Sequence, residues 1–259
     1  MKWWFLMFKS LVERLRNDKP KGPSPNEIKR EEERREFNNL LSIAKKILAS
    51  DSPNKIYEYI YTLGKAKQHQ LIVNCFRKHM ISKEEVWNEE NLFFLRKKRS
   101  LLFRRFDVSG NNLLNLTSVR EDIRIAEKRL NPKDTLIFPL TWNGKRMLDN
   151  LLKIGKRVDH PWSFDKLNHN ILYIKPINIG VVENGNHSMA VNIINNESSD
   201  VRVDEILDLS IIYEDIYTDG IHFRKKETDT IIDEVDNLEM AAIFEIGRLI
   251  QENGLYYGT

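Results

Sequence analysis

The chain has one cysteine, Cys75, among 259 residues. That excludes an intrachain disulfide and any cysteine-based zinc site, and a reducing cytoplasm is the expected compartment. Glycine is also scarce, at 11 residues, so collagen-like and glycine-rich disordered chains are excluded. Long apolar runs are missing. The longest near the start is Trp3 to Phe8, broken by Lys9. It is far short of the ~20 residues that span a bilayer, and it lacks the core and cleavage site of a signal peptide. No transmembrane segment is expected.

What is present is ordinary globular composition, 41% hydrophobic and 31% charged, enough to bury a core without staples. Net charge is only +3, but residues 1–130 hold 28 Lys+Arg against 17 Asp+Glu, and residues 131–259 hold 13 against 21. Two parts with different surfaces follow from that asymmetry. A basic half can attract nucleic acid, anionic lipid or an acidic protein, including its own acidic half.

The pattern divides the chain into four. Residues 1–18 read as an amphipathic helix suited to docking on a protein or a membrane surface. Residues 19–26, with Pro20, Gly22, Pro23 and Pro25, read as a linker. Residues 27–130 read as nearly all helix, with helical spacing over 27–49 and 54–80, a capping box at Ser82–Glu85, and further helices at 89–106 and 117–130. Residues 131–259 read as mixed α and β. Strands are expected at 135–140, 171–174, 177–182, 201–206, 211–213 and 221–223. Asp219-Gly220 marks a hairpin turn. Helices are expected at 145–154, 188–195 and 238–251.

The most informative stretch runs from Tyr173 to Ala190: strand, sharp turn, helix. Gly185 suits a positive-φ turn. The N–H groups of Gly185, Asn186, His187 and Ser188 would open a helix and attract a phosphate. His187 and Ser188 add side-chain donors. This is neither a Walker A loop nor a dinucleotide fingerprint. Neutral His187, its pKa lowered by the helix start, is the candidate base or donor.

Phe138-Pro139-Leu140, Arg146 in the helix that follows, Lys175-Pro176-Ile177, and Asn184-Gly185-Asn186-His187-Ser188-Met189-Ala190 together resemble the ParB/sulfiredoxin-like superfamily over about residues 135–206. The resemblance implies a small mixed-sheet α+β domain whose turn after the glycine binds nucleotide phosphates. Carried over, Gly185, Asn186, His187 and Ser188 become phosphate contacts, with Arg146 a helper. A nucleoside phosphate with Mg²⁺ is the implied ligand, in a bacterial cytoplasmic protein acting near DNA. If the site is catalytic, phosphoryl transfer or phosphodiester hydrolysis is the implied reaction class. His187-Ser188 stands where ParB carries two arginines. The only cysteine lies far along the chain from the turn, which argues against sulfiredoxin activity.

Three alternatives compete. Asp159-His160 followed by Asn168-His169 loosely matches an HNH-type nuclease, in which a histidine activates water beside a divalent metal. Arg96, Lys97, Lys98, Arg99, Arg104 and Arg105 bracket an apolar stripe and suit a nucleic-acid backbone, or are one wet helix face. Asp204, Glu205, Asp208, Glu214, Asp215 and Asp219 offer carboxylates for magnesium, or are solvated surface. A non-enzymatic protein–protein interaction module, using the basic helical half or the apolar N-terminus, is the reading from another class. It would bury His187, whereas a nucleotide site requires residues 184–190 to line an open cleft beside a cation.

Overall fold

The computed structural model describes residues 24–78, 128–197 and 200–255, and three short strands at 104–105, 114–115 and 120–122. The predicted helix 1–18, the Ser82 capping box and the basic run Arg96–Arg99 lie outside the described residues.

Helix α1 spans Pro25–Leu48. The Ser24 hydroxyl accepts the Glu27 N–H while the Glu27 carboxylate accepts the Ser24 N–H, a reciprocal cap with proline at the first position. The chain therefore turns helical inside the expected linker. Phe37, Ala44 and Leu48 face the core. After a 3₁₀ turn at Pro53–Lys55, helix α2 spans Ile56–Lys78 and buries Ile56, Ile60, Leu71, Ile72 and Cys75. Gly64 gives α2 its close approach: a Cβ there would sit 2.0 Å from Leu136.

Where residues between α2 and position 131 are described, strands stand in place of expected helix at 104–105, 120–122 and 129–130, and 114–115 is a strand as well. Arg104–Arg105 (β1) pairs with Leu114–Asn115 (β2). Arg120–Asp122 (β3) and Arg129–Leu130 (β4) find partners far along the chain, at 205–207 and 201–202, and pairing with them overrides the local helical pattern.

The central sheet joins β3, β5 (Leu136–Pro139), β6 (Asn170–Lys175), β7 (Ile179–Asn184) and β9 (Glu205–Asp208) in the order β3-β9-β6-β7-β5. Pairs β5–β7 and β6–β9 are parallel, whereas β6–β7 and β3–β9 are antiparallel. The predicted strand 201–206 is two, with β8 (Val201–Arg202) pairing β4 and β9 joining the main sheet. Helix α3 spans Gly144–Lys153 and α4 spans Asn186–Asn195, two residues earlier than expected. Residues 211–213 are not a strand. A 3₁₀ turn at Leu209–Ile211 leads into α5 (Ile212–Asp215), and β10 (Ile216–Thr218) takes the hairpin role with β11 (His222–Lys225) around Asp219-Gly220. Strand β12 (Ile231–Glu234) completes that sheet, and α6 spans Leu238–Glu252.

Both faces of the central sheet are covered. Phe138, Leu172, Ile174 and Val181 share one core with Phe37 and Ala44 of α1, Ile60 of α2 and Phe244 of α6. Ile137, Tyr173 and Val182 pack with Trp162 and Met189 on the other side. The N-terminal helices and the sheet therefore build one hydrophobic core across the expected boundary at 130/131. On edge strand β5, the buried Gln68 of α2 donates to the Ile137 carbonyl at 2.6 Å, satisfying a backbone group that a neighbouring strand would otherwise claim. The protein is an α+β fold, and among the described residues no helix is long and apolar enough to cross a membrane.

Candidate functional site

Parallel strands β5 and β7 lie side by side and run out at the same edge of the sheet. Each leads into a helix, α3 and α4. In open sheets the carboxyl ends of parallel strands are where ligands bind. Side chains from the start of α4 tie the two exits together. Asn186 Oδ1 accepts the Leu140 N–H at 2.6 Å, and His187 Nε2 accepts the Asn143 N–H at 3.1 Å. Asn143 in turn caps α3 by accepting the Arg146 N–H at 2.9 Å.

A cleft of about 370 Å³ opens at this edge. Residues 184–188 form its floor, with Trp142, Arg146 and Asn150 on one side and residues 160–169 on the other. Gly185 turns the chain at φ +77°, and no side chain caps α4. A Cβ at Gly185 would meet His169 Cδ2 at 2.2 Å and the Asn168 carbonyl at 2.7 Å, so both conformation and space demand glycine. The first-turn N–H groups of α4 are thus free of side-chain partners beside the cleft. Asn186 is only 1% exposed, and its Nδ2 is buried without a partner.

The hydrogen-bond network assigns both histidine tautomers. His187 is 5% exposed, buried as the interaction reading required, although it also lines the cleft. Its Nε2 accepts a backbone N–H, so the neutral ring carries its proton on Nδ1. Burial, with the Arg146 charge adding to it, holds its pKa down to about 4. At neutral pH His187 is a donor, and its one lone pair is occupied, which removes the expected base role from this arrangement. His169 Nδ1 accepts the Asp165 N–H at 2.8 Å, leaving Nε2–H to donate to Ser188 Oγ at 3.2 Å. Burial lowers its pKa against the pull of Asp165. The Trp162 indole N–H also donates to Ser188 Oγ, at 2.8 Å.

Of the residues expected at the site, Gly185, Asn186, His187, Ser188 and Arg146 all line the one cleft. His160 and His169 of the nuclease-like pattern line it too. Among the described residues, however, no group of three or more His, Cys, Asp or Glu side chains could hold a metal ion. The acidic residues singled out for magnesium lie away from the cleft. Asp204 accepts the Ile171 N–H, Asp208 caps the Leu209 turn, and Asp219 accepts the Ile221 and His222 N–H groups. Cys75, remote in sequence, packs beside Ala190 and Val191 under α4. Burial pushes its thiol pKa up, so proximity brings no nucleophile. Trp142 and Trp162 were not foreseen. Trp142 meets the His187 ring edge-on at 4.5 Å and Trp162 leans on His169 at 5.0 Å, contacts that no local pattern announces. A family model covers residues 24–256.

The chain belongs to the family of unknown function DUF6710.

The matched span takes in both N-terminal helices, the sheet and the cleft. Neither a curated protein nor a solved structure matches the chain.

Proposed function

We propose that the cleft binds the phosphate group of a small phosphorylated ligand, in the first instance a nucleoside phosphate. The reading rests on one observation: the uncapped first turn of α4 lies beside the cleft with the buried, unpartnered Asn186 amide in its floor and Arg146 on its wall. A helix N-terminus with free N–H groups favours an anion, and a cation alongside strengthens it. The volume of about 370 Å³ sits at the small end of ligand pockets and suits one nucleotide-sized molecule. The strand–glycine–helix order of β7 and α4, beside a proline-ended β5, is in keeping with the ParB/sulfiredoxin-like resemblance.

The residues present do not fit a magnesium ion held by the protein. Among the described residues Asp165 is the single carboxylate in the cleft lining, and its two oxygens accept from the Leu167 N–H and the Asn168 amide. With the His187 lone pair occupied, binding is better supported than phosphoryl transfer or phosphodiester hydrolysis. A role near DNA, through Arg96–Arg99 and Arg104–Arg105, belongs to the same proposal and rests on sequence.

A thermal-shift panel of ATP, ADP, CTP, GTP and phosphate, each with and without Mg²⁺, tests the reading on the whole chain and on Arg146→Ala. A ligand at 100 times its dissociation constant stabilises the native state by about 2.7 kcal/mol. A shift with one ligand, lost in Arg146→Ala, is the expected result. No shift at millimolar ligand overturns it.

A further inference from the structure

Apart from Asn184 at its exposed edge, the floor of the cleft that the described residues form, Gly185 to Ser188, offers side-chain and helix-start hydrogen-bond donors only. We infer that it selects an oxyanion carrying no proton of its own, a phosphomonoester dianion or a sulfate, over any protonated form. The inference rests on the phosphate-binding reading and adds the ligand's protonation state to it.

Each floor group reaches this polarity through a partner. The Asn186 carbonyl oxygen is taken by the Leu140 N–H, leaving Nδ2, which donates only and is buried without a partner. His187 Nε2 is taken by the Asn143 N–H, leaving Nδ1–H. Ser188 Oγ accepts from both the Trp162 indole and His169 Nε2–H. A hydroxyl oxygen has two lone pairs, so its remaining capacity is its own O–H. The uncapped N–H groups of α4 and the Arg146 guanidinium add donors and no acceptor. A protonated oxyanion would set its O–H against this floor with no acceptor to receive it, and an unpaired buried donor is costly.

The charged and titratable groups around the floor are Arg146 from α3, His160 and Asp165 from the connection before β6, His169 at its end, and His187 of α4. His169 and His187 are bound through a ring nitrogen as neutral acceptors. Asp165 is turned into its own loop by Leu167 and Asn168. His160, at the exposed rim, is the group whose charge could imitate a pH effect.

The test is an NMR titration of the tryptophan indole N–H resonances, with Trp162 assigned by Trp162→Phe. The probes are sulfate and methyl phosphate at pH 5.0 and 7.5, on the natural chain and on His160→Gln. A phosphomonoester loses its second proton near pH ~6. Methyl phosphate should therefore bind about tenfold more tightly at pH 7.5 than at 5.0. Sulfate should change by less than about twofold on His160→Gln. Methyl phosphate binding equally well at both pH values, or sulfate tightening severalfold at pH 5.0 on His160→Gln, overturns the donor-only inference while leaving anion binding in place. No response to either anion at 100 mM overturns the phosphate reading, and this inference with it.

Discussion

The Trp162 indole N–H donates to the Ser188 hydroxyl oxygen at 2.8 Å, across the mouth of α4. The same oxygen receives His169 Nε2–H, so one hydroxyl orients two aromatic walls of the cleft. Removing the acceptor and removing one donor are therefore unequal. Ser188→Ala strands two donors and should cost about 1–3 kcal/mol, whereas Trp162→Phe removes a donor cleanly and should lose about 1 kcal/mol from that bond. Urea unfolding of both variants checks the order. A Ser188→Ala protein as stable as the natural chain would show that the hydroxyl does not organise the walls.

His187 links the cleft to pH. Its folded pKa of about 4 lies below the ~6.5 of an unfolded histidine. Between those values the unfolded chain takes up a proton that the native ring refuses. The stabilisation is complete above pH ~6.5, falls as pH drops towards 4 and levels off below, a total of about 3 kcal/mol. His187→Gln, which keeps a side-chain acceptor for the Asn143 N–H, should flatten this limb of a stability–pH curve measured by urea unfolding. An unchanged slope in the variant would assign the dependence to other groups.

The elements that depend on neighbours in sequence were legible, and those that depend on distant partners were not. The Asp219-Gly220 turn and the Gly185 turn each follow from local stereochemistry, and both are present; the Ser24–Glu27 cap obeys the same local rules but lies inside the expected linker, where its prolines hid it. Residues 120–122 and 129–130 carry helix-compatible spacing. They become strands because Glu205–Asp208 and Val201–Arg202 offer them edges, information that sits 71 to 87 residues away. Tyr213 moved from strand to helix for a related reason: Arg248 of α6 donates to the Tyr213 and Ile216 carbonyls and binds Glu245, holding that corner from outside. At the cleft, the glycine and the helix start could be read from residues 173–190. The loss of His187 as a base could not, because it is the Asn143 N–H, more than 40 residues earlier, that fills the lone pair.

Two glycines with positive φ separate strain from crowding. Gly185 has φ +77° and a Cβ there would strike His169 and Asn168, whereas Gly254 has φ +64° with nothing within 4 Å. Gly254→Ala should cost about 1 kcal/mol, the left-handed conformation alone. Gly185→Ala adds overpacking of about 1–3 kcal/mol and should displace the His169 ring from Ser188. Equal melting-temperature losses in the two variants would mean that the turn has room the geometry does not show.

Glu197 holds the far wall. One carboxylate oxygen accepts the Lys156 N–H and the other the Trp162 N–H, the latter at 2.9 Å. Those two bonds, Trp162 first, hold its pKa below the usual glutamate value, so its contribution is present above about pH 4.5 and fades as pH falls below that. Gly155 is pressed against the same carboxylate, with a Cβ there 3.3 Å from Glu197 Oε1. The loop carrying Trp162 is thus pinned at two points by a residue beyond the end of α4. Glutamine has one acceptor oxygen where glutamate has two, so Glu197→Gln should keep one pin and Glu197→Ala neither. The expected order of stability is natural chain, then Gln, then Ala, with about 1–2 kcal/mol lost in the alanine variant, discounted because the side chain is partly exposed. Phosphate affinity should fall in the same order, because the wall moves while the floor stays. If Glu197→Ala left the Trp162 indole resonance and anion affinity unchanged, the wall would be held by its contact with Ser188 alone.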